Sequence, residues 1–262
     1  MKKPLIILAG PTAVGKTALS IRLAREVNAE IISADSMQVY RRMDIGSAKI
    51  RPEETKGVPH HLVDVLEPWE DFNVVRFQQM AKAAAEQIWT RGKIPLVVGG
   101  TGFYIQALLY DIDFTENDAD TSYREELERL AKEKGGDYLH GLLEDADPQA
   151  AGDIHPNNIK RMIRALEFHR QTGGNISEHN AKEREKESPY NYAYFVLTDE
   201  RSRLYERIDC RVDQMMEEGL LEEVRLLREQ GVQRSSTAMQ GLGYKELCAY
   251  LEGECTLEEA VR

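Results

Sequence analysis

Leu5-Ile-Ile-Leu-Ala9 runs directly into Gly10-Pro-Thr-Ala-Val-Gly15-Lys16-Thr17, and the reading of this stretch decides the fold. A short, wholly apolar run closed by Gly-Pro suits a strand buried on both faces of a parallel sheet. Gly10 to Thr17 then matches G-x-x-x-x-G-K-[ST], with Pro11, Thr12, Ala13 and Val14 between the glycines. Leu19, Leu23 and Val27 recur at the spacing of one helix face, which predicts a helix over 16–27 with those three side chains inward. A glycine-rich turn between strand and helix brings backbone N–H groups and the helix dipole onto anionic oxygens. Lys16 supplies a point charge to the terminal phosphate, and Thr17 offers a hydroxyl to Mg²⁺. The motif predicts phosphate binding without saying which phosphate: a nucleoside triphosphate such as ATP is the default, a diphosphate ester the less common ligand.

Outward from the loop, strand and helix alternate. A second strand is predicted over 30–34. Asn73 caps a helix to residue 91 with Val74, Phe77, Ala81, Ala84 and Ile88 inward, and a buried strand follows over 94–98. The pattern is that of an α/β fold, a P-loop NTPase-like parallel sheet flanked by helices. The texture changes after residue 110. Residues 111–150 hold 13 acidic and 4 basic side chains, with helical spacing over 123–133, and residues 160–186 hold 7 basic and 4 acidic. A helix over 158–171 carries Lys160, Arg161, Arg164 and Arg170 and stops at Gly173-Gly174. A polar stretch leads to Pro189, and strand-like 192–197 resumes the sheet. The expected organisation is a core of 1–110 plus 189–262 with a helical insertion over 111–188. A long amphipathic helix over 201–230 is expected to break near Gly219. Thr256-Leu-Glu-Glu259 reads as a capping box opening a helix that Arg262 cuts off, so the chain is expected to end within an element.

The 262 residues carry 34 Lys plus Arg against 45 Asp plus Glu, a formal charge of −11. That balance argues against a protein that simply coats nucleic-acid phosphates, although residues 1–51 hold 9 basic and 4 acidic side chains and so form a local exception. Cys210, Cys248 and Cys255 have neither C-x-x-C nor His-paired zinc spacing and fit reduced thiols. The apolar run before Gly10 is too short for a signal peptide, and no run approaches membrane-spanning length. A cytoplasmic monomer without membrane association is expected.

A P-loop NTPase normally adds an acid after an apolar strand, but Leu96-Val-Val98 is followed by Gly99-Gly-Thr-Gly102. The nearest acid at a strand end is Asp35, in Ile31-Ile-Ser-Ala-Asp35-Ser36. At the carboxyl edge of a parallel sheet it lies at the ligand crevice, where it could hold magnesium or take a proton. Arg207 and Arg211 share a helix face, either as cations for the same ligand or as a solvated pair for Glu206 or Asp213. His60 and His61 have no second ligand pair and read as hydrogen-bonded structural residues.

A series of blocks resembles the tRNA dimethylallyltransferase family across nearly the whole chain. After the P-loop come Ile32-Ser-Ala-Asp-Ser-Met-Gln-Val-Tyr40, Met43-Asp-Ile-Gly-Ser-Ala-Lys49, Pro59-His-His-Leu-Val-Asp64 and Val97-Val-Gly-Gly-Thr-Gly-Phe-Tyr104. Asp147-Pro148, His155-Pro-Asn-Asn158, Arg161, Arg164-Ala-Leu-Glu167, Arg207, Arg211-Val-Asp213 and Gly243-Tyr-Lys-Glu246 continue it in order. The resemblance implies transfer of a dimethylallyl group from dimethylallyl diphosphate to the exocyclic amine of the tRNA adenosine just 3′ of the anticodon. A loop that grips a diphosphate leaving group would explain the missing acid after the 94–98 strand. The resemblance makes Asp35 the base. It gives Lys16, Thr17 with Mg²⁺, Arg211 and Arg207 to the diphosphate, Thr101 to the adenine, and Ser36, Met37 and Gln38 to the entrance of a channel that receives a flipped-out base. Arg124, Lys160, Arg161 and Arg164 would meet the anticodon arm. The family usually continues past this end with a basic segment, whose absence is expected to weaken tRNA binding, and the lack of a C-terminal zinc finger favours the bacterial type. The rival readings are a P-loop nucleotide or small-molecule kinase, a prenyltransferase acting on free adenine nucleotides, and a non-catalytic nucleotide switch.

Overall fold

A computed structural model describes residues 2–114 and 122–262; residues 115–121 of the expected insertion lie outside this description. The chain divides into two compact units, Met1–Asp111 with Ser188–Arg262, and Ile112–Glu187.

In the first unit, β1 (Lys3–Ala9), α1 (Lys16–Glu26), β2 (Ala29–Ser33), β3 (His60–His61), α2 (Val74–Thr90), β4 (Ile94–Gly99) and α3 (Gly102–Leu109) follow in chain order. The sheet is entirely parallel, in the order β3-β2-β4-β1-β5, where β5 is Tyr190–Val196. This is the expected P-loop-like α/β core. β1 needs its continuous apolar run because it is flanked by β4 and β5 and covered on both faces. Leu5 and Ile7 enter the core under α2, and Leu8 enters the one under α1; each is at most 2% exposed. Asn73 accepts a hydrogen bond from the Arg76 amide and caps α2, whose Phe77, Ala81, Ala84 and Ile88 are buried as the spacing requires. Phe77 stacks on Tyr104 of α3 at 4.7 Å, and Phe72 meets Tyr104 edge-on at 5.7 Å.

The chain leaves this unit after α3 and returns before β5, and the two ends are tied: Ser188 Oγ donates to the Leu109 carbonyl at 2.6 Å. After β5, α9 (Arg201–Glu218) and α10 (Leu220–Glu229) are separated at Gly219, whose φ of +102° breaks the long helix where its glycine predicts. α11 (Tyr244–Leu251) and α12 (Leu257–Val261) follow, and Thr256 and Glu259 form the expected capping box.

The second unit is helical: α4 (Ser122–Lys134), α5 (Gly136–Ala146), α6 (Pro148–Asp153), α7 (Ile159–Thr172) and α8 (Ile176–Glu185). Leu127, Leu139, Leu143, Met162 and Leu166 form its core. Asn158 caps α7, and Gly173 closes it in the left-handed region. Buried Asp147 caps α6 through the Ala150 amide and also takes both the amide and the hydroxyl of Ser177, which pins the start of α8. Among the described residues, no helix is long and apolar enough to cross a membrane.

One expectation needs correction. α1 buries Ser20, Ile21 and Ala24, while Leu19 is 38% exposed and Leu23 and Val27 are half-buried. Small residues let the helix lie close on the sheet, so the buried face is turned away from the leucines. The polar stretch before Pro189 contains α8, which is polar on nearly every face and so gives no periodic signal.

His60 and His61 themselves form the short edge strand. His60 Nδ1 donates to the Val58 carbonyl at 2.8 Å, and His61 Nε2 donates to Glu30 at 2.8 Å. Glu30 is 3% exposed in β2 and also takes Arg91 at 2.7 Å and Lys93 at 3.0 Å. Burial pushes its carboxyl up, but the bonds from Arg91, His61 and Lys93 outweigh that and hold it at about 2, below its ordinary 4.5. A depressed carboxylate stabilises above its unfolded pKa and loses that contribution as pH falls through the folded one. Glu30→Gln is therefore expected to cost on the order of 2–3 kcal/mol at pH 7, discounted for the part-exposed cations. Urea midpoints of the two proteins should converge between about pH 4.5 and 2.

Candidate active site

β1 delivers the phosphate loop at its carboxyl end. At Gly10, φ +157°, a Cβ would lie 2.8 Å from the Leu197 carbonyl, so the loop can pass the end of β5 only without a side chain. Gly15 takes φ +94° and leads into α1 with no side-chain cap, leaving the first helical N–H groups to the loop. Lys16 Nζ donates to the carbonyls of Gly10 at 2.9 Å and Pro11 at 2.7 Å, spanning the loop from the first turn of the helix.

Asp35 stands two residues beyond the end of β2. Ala34 donates to the Val98 carbonyl at 2.8 Å, and a Cβ on Gly99 would sit 2.2 Å from the Ala34 carbonyl oxygen. β2 and β4 thus close tightly just before the acid, which fixes where it emerges. Gly99→Ala is expected to push this seam apart at roughly 1–3 kcal/mol, lowering the melting temperature by about 3–10 °C. Asp35 Oδ1 accepts from the Met37 amide at 2.8 Å and the Gln38 amide at 3.3 Å. Its Oδ2 has no hydrogen-bond partner among the described residues.

Three charged groups interact here. Burial lowers the pKa of Lys16, Asp35 opposes that, and Arg211 adds to it. Burial likewise lowers Arg211, again opposed by Asp35. Arg207, one turn earlier on α9, donates to the Ala13 carbonyl at 3.3 Å and pairs with Asp199 at 2.8 Å. Its carboxylate partner is therefore Asp199, not Glu206 or Asp213. A cleft of about 60 Å³ lies between α1 and the strand ends, lined by Lys16, Thr17, Ser33, Asp35, Gln38 and His60 among others. A larger, open groove of about 550 Å³ between α9 and α12 is lined by Asp213, Glu217 and Glu258 with three apolar side chains. With no cation among those residues it is unsuited to an anionic ligand.

Ser36, Met37 and Gln38 follow Asp35 directly, and Thr101 precedes α3, beyond the carboxyl end of β4. In the helical unit, Lys160 and Arg161 are exposed on α7 and Arg164 is half-buried. The Arg124 guanidinium forks onto buried Glu167 at 2.9 and 2.7 Å, joining α4 to α7. Arg170 lies over the Tyr123 ring at 4.1 Å. Asp199 and Ser20 were not legible as site residues: Asp199 meets Arg207 across a helix start, and Ser20 lies outside the motif. Ser33 lies within the Ile32–Tyr40 block, but the resemblance gives it no role. Among the described residues, no group of three or more His, Cys, Asp and Glu could cage a metal.

A glycine loop between parallel strand and helix, with Asp35, Arg207 and Arg211 near it and no acid after β4, is the arrangement of an enzyme of the P-loop class. The chain belongs to the IPP transferase family, whose model matches residues 38–262; an isopentenyl transferase model matches residues 3–64. It is 64% identical to the tRNA dimethylallyltransferase of Lachnoclostridium phytofermentans over 99% of this chain and 83% of that one. It is 55% identical to the enzyme of the same name from Bacillus licheniformis, over 99% and 82%. Among solved structures it resembles the full-length tRNA isopentenylpyrophosphate transferase of Bacillus halodurans, with TM-score 0.72 and 47% identity over 100% of this chain and 81% of that one. It also resembles a eukaryotic dimethylallyltransferase acting on tRNA, with TM-score 0.84 and 33% identity over 99% and 65%.

Proposed function

We propose that this chain transfers a dimethylallyl group from dimethylallyl diphosphate to the exocyclic amine of the adenosine immediately 3′ of the anticodon in tRNA, releasing diphosphate. The observation that carries this reading is that Lys16, Thr17 and Asp35 line one cleft beside the glycine loop that Lys16 spans. The names of the relatives, and a solved relative described as acting on tRNA, support the choice of substrates.

The backbone N–H groups of residues 12–15, with Lys16, Arg207 and Arg211, hold the diphosphate and neutralise charge as the allylic C–O bond breaks. The amine nitrogen forms the new C–N bond, and its proton passes to Oδ2 of Asp35, because Oδ1 is occupied by the Met37 and Gln38 amides. Thr17 fits a Mg²⁺ ion as a single hydroxyl ligand, the usual economy of a metal that shares its shell with phosphates and water. Bound there, the ion would add positive charge on the leaving oxygens. Thr101 and Ser36 to Gln38 line the path of the flipped-out base. Exposed Lys160 and Arg161 contact phosphates of the anticodon arm with Arg164, while Arg124 contributes through its clamp on Glu167. The protein works as a cytoplasmic monomer.

Incubation with labelled dimethylallyl diphosphate, Mg²⁺ and unmodified tRNA should place label in the tRNA. Changing the acceptor adenosine to guanosine should abolish it. Label in free adenine nucleotides but not tRNA, or phosphate transfer from ATP, would contradict the proposal.

A further inference from the structure

The carboxylate of Glu223, on α10, has no part in the chemistry above, yet it carries four hydrogen bonds. Oε2 accepts from the amides of Asp44 and Ile45, each at 2.8 Å. Oε1 accepts from the Gly46 amide at 3.2 Å and from the Tyr244 hydroxyl at 2.6 Å. Three consecutive amides and a phenol on one carboxylate fix a loop that has no regular structure of its own. The loop also presses on the Tyr244 ring: a Cβ on Gly46 would lie 2.6 Å from it.

The same loop holds a site residue. The carbonyls of Ser47 and Ala48 both accept from Gln38 Nε2 at 3.4 Å. Gln38 Oε1 accepts from Ser33 Oγ at 3.0 Å, and the Gln38 amide donates to Asp35 Oδ1. The Gln38 carboxamide is thereby fixed in one orientation on the wall of the cleft that holds Asp35. Gly241, three residues before Tyr244, packs close to Met37, the neighbour of Gln38: a Cβ there would lie 2.6 Å from Met37 Sδ. Among the described residues, Lys16 bonds to the Gly10 and Pro11 carbonyls and Arg207 to Ala13 and Asp199, all outside this loop, so the diphosphate side is held by other groups.

We propose that Glu223, locked by the Tyr244 hydroxyl, is a positioning residue for the acceptor base, acting through the 44–48 loop on Gln38 and leaving the diphosphate side untouched. This rests on the reading of the chain as an adenosine prenyltransferase. Glutamine at 223 cannot accept all four donors, since its NH₂ must oppose one pair of them. Tyr244→Phe keeps the ring against Gly46 and removes only the hydroxyl, so it is the milder variant.

Steady-state kinetics on the full chain test this with wild type, Glu223→Gln, Tyr244→Phe and Gln38→Ala. In Glu223→Gln, kcat/KM for tRNA should fall about 10- to 100-fold, and in Tyr244→Phe about 3- to 10-fold, the scale of a misplaced reactant. KM for dimethylallyl diphosphate should hold within about twofold. In the Gln38→Ala background, Tyr244→Phe should cost almost nothing more, because the two changes act on one path. Unchanged tRNA kinetics in folded Tyr244→Phe would overturn the inference while leaving the prenyltransferase reading intact. Equal losses for both substrates, or fully additive losses with Gln38→Ala, would overturn it in the same way. If the wild-type chain prenylates no tRNA, the reading and the inference fall together.

Discussion

Asp35→Ala is expected to lower kcat for tRNA prenylation by about 10²- to 10⁴-fold, the range for removal of a positioned general base. The loss should be in the chemical step. Asp35 is the negative charge that opposes the depression of both the Lys16 and Arg211 pKa values. Without it the two cations face the diphosphate alone, so affinity for dimethylallyl diphosphate should hold or rise. Asp35→Asn separates two roles: its carboxamide oxygen can still accept the Met37 and Gln38 amides that Oδ1 now takes. The loop after β2 then keeps its shape while the base is gone. Single-turnover rates should be comparably low in both variants, with near-normal tRNA binding in Asp35→Asn. Retention of the wild-type rate in Asp35→Asn would show that Asp35 shapes the loop and takes no proton.

Lys16→Ala is expected to reduce kcat/KM for dimethylallyl diphosphate by about 10²- to 10³-fold, the cost of one preorganised charge-stabilising donor. Lys16 is anchored by the Gly10 and Pro11 carbonyls at the first turn of α1, so its charge is held over the loop and is not supplied by diffusion. Lys16→Arg should recover only part of the loss. The guanidinium is larger, planar and fork-shaped, and the loop presents two carbonyls spaced for one compact ammonium. Rapid-quench measurement of diphosphate release separates this from Asp35→Ala. Lys16→Ala should slow turnover and also weaken substrate binding, whereas the Asp35 variants should slow turnover alone.

The parts of this account that were legible in the sequence are those whose causes are local. Residues 10–17 carry strand, loop and helix start in one contiguous pattern, and Asp35 follows its own strand directly. The break at Gly219 and the caps at Asn73, Asn158 and Thr256 are likewise written within a turn of where they act. What was not legible depends on partners distant in the chain or on a face that periodicity misassigns. Leucine spacing pointed α1 the wrong way because its contact with the sheet runs through Ser20, Ile21 and Ala24. Helix α8 has no apolar stripe to read. Arg207 finds Asp199 and Glu223 finds the 44–46 amides only because the fold brings them together. Arg124 reads as a free cation until Glu167 is placed beneath it.

The central claim is that one cleft holds a leaving diphosphate and a carboxylate that receives the acceptor's proton. A ternary crystal structure with Mg²⁺, an unreactive thiolodiphosphate analogue and tRNA measures it directly. The account predicts the diphosphate within the 10–17 loop and the adenine amine about 3 Å from Asp35 Oδ2, within reach for proton transfer. An adenine amine bound beyond hydrogen-bond reach of Asp35, or a diphosphate seated away from Lys16 and Arg211, would contradict it.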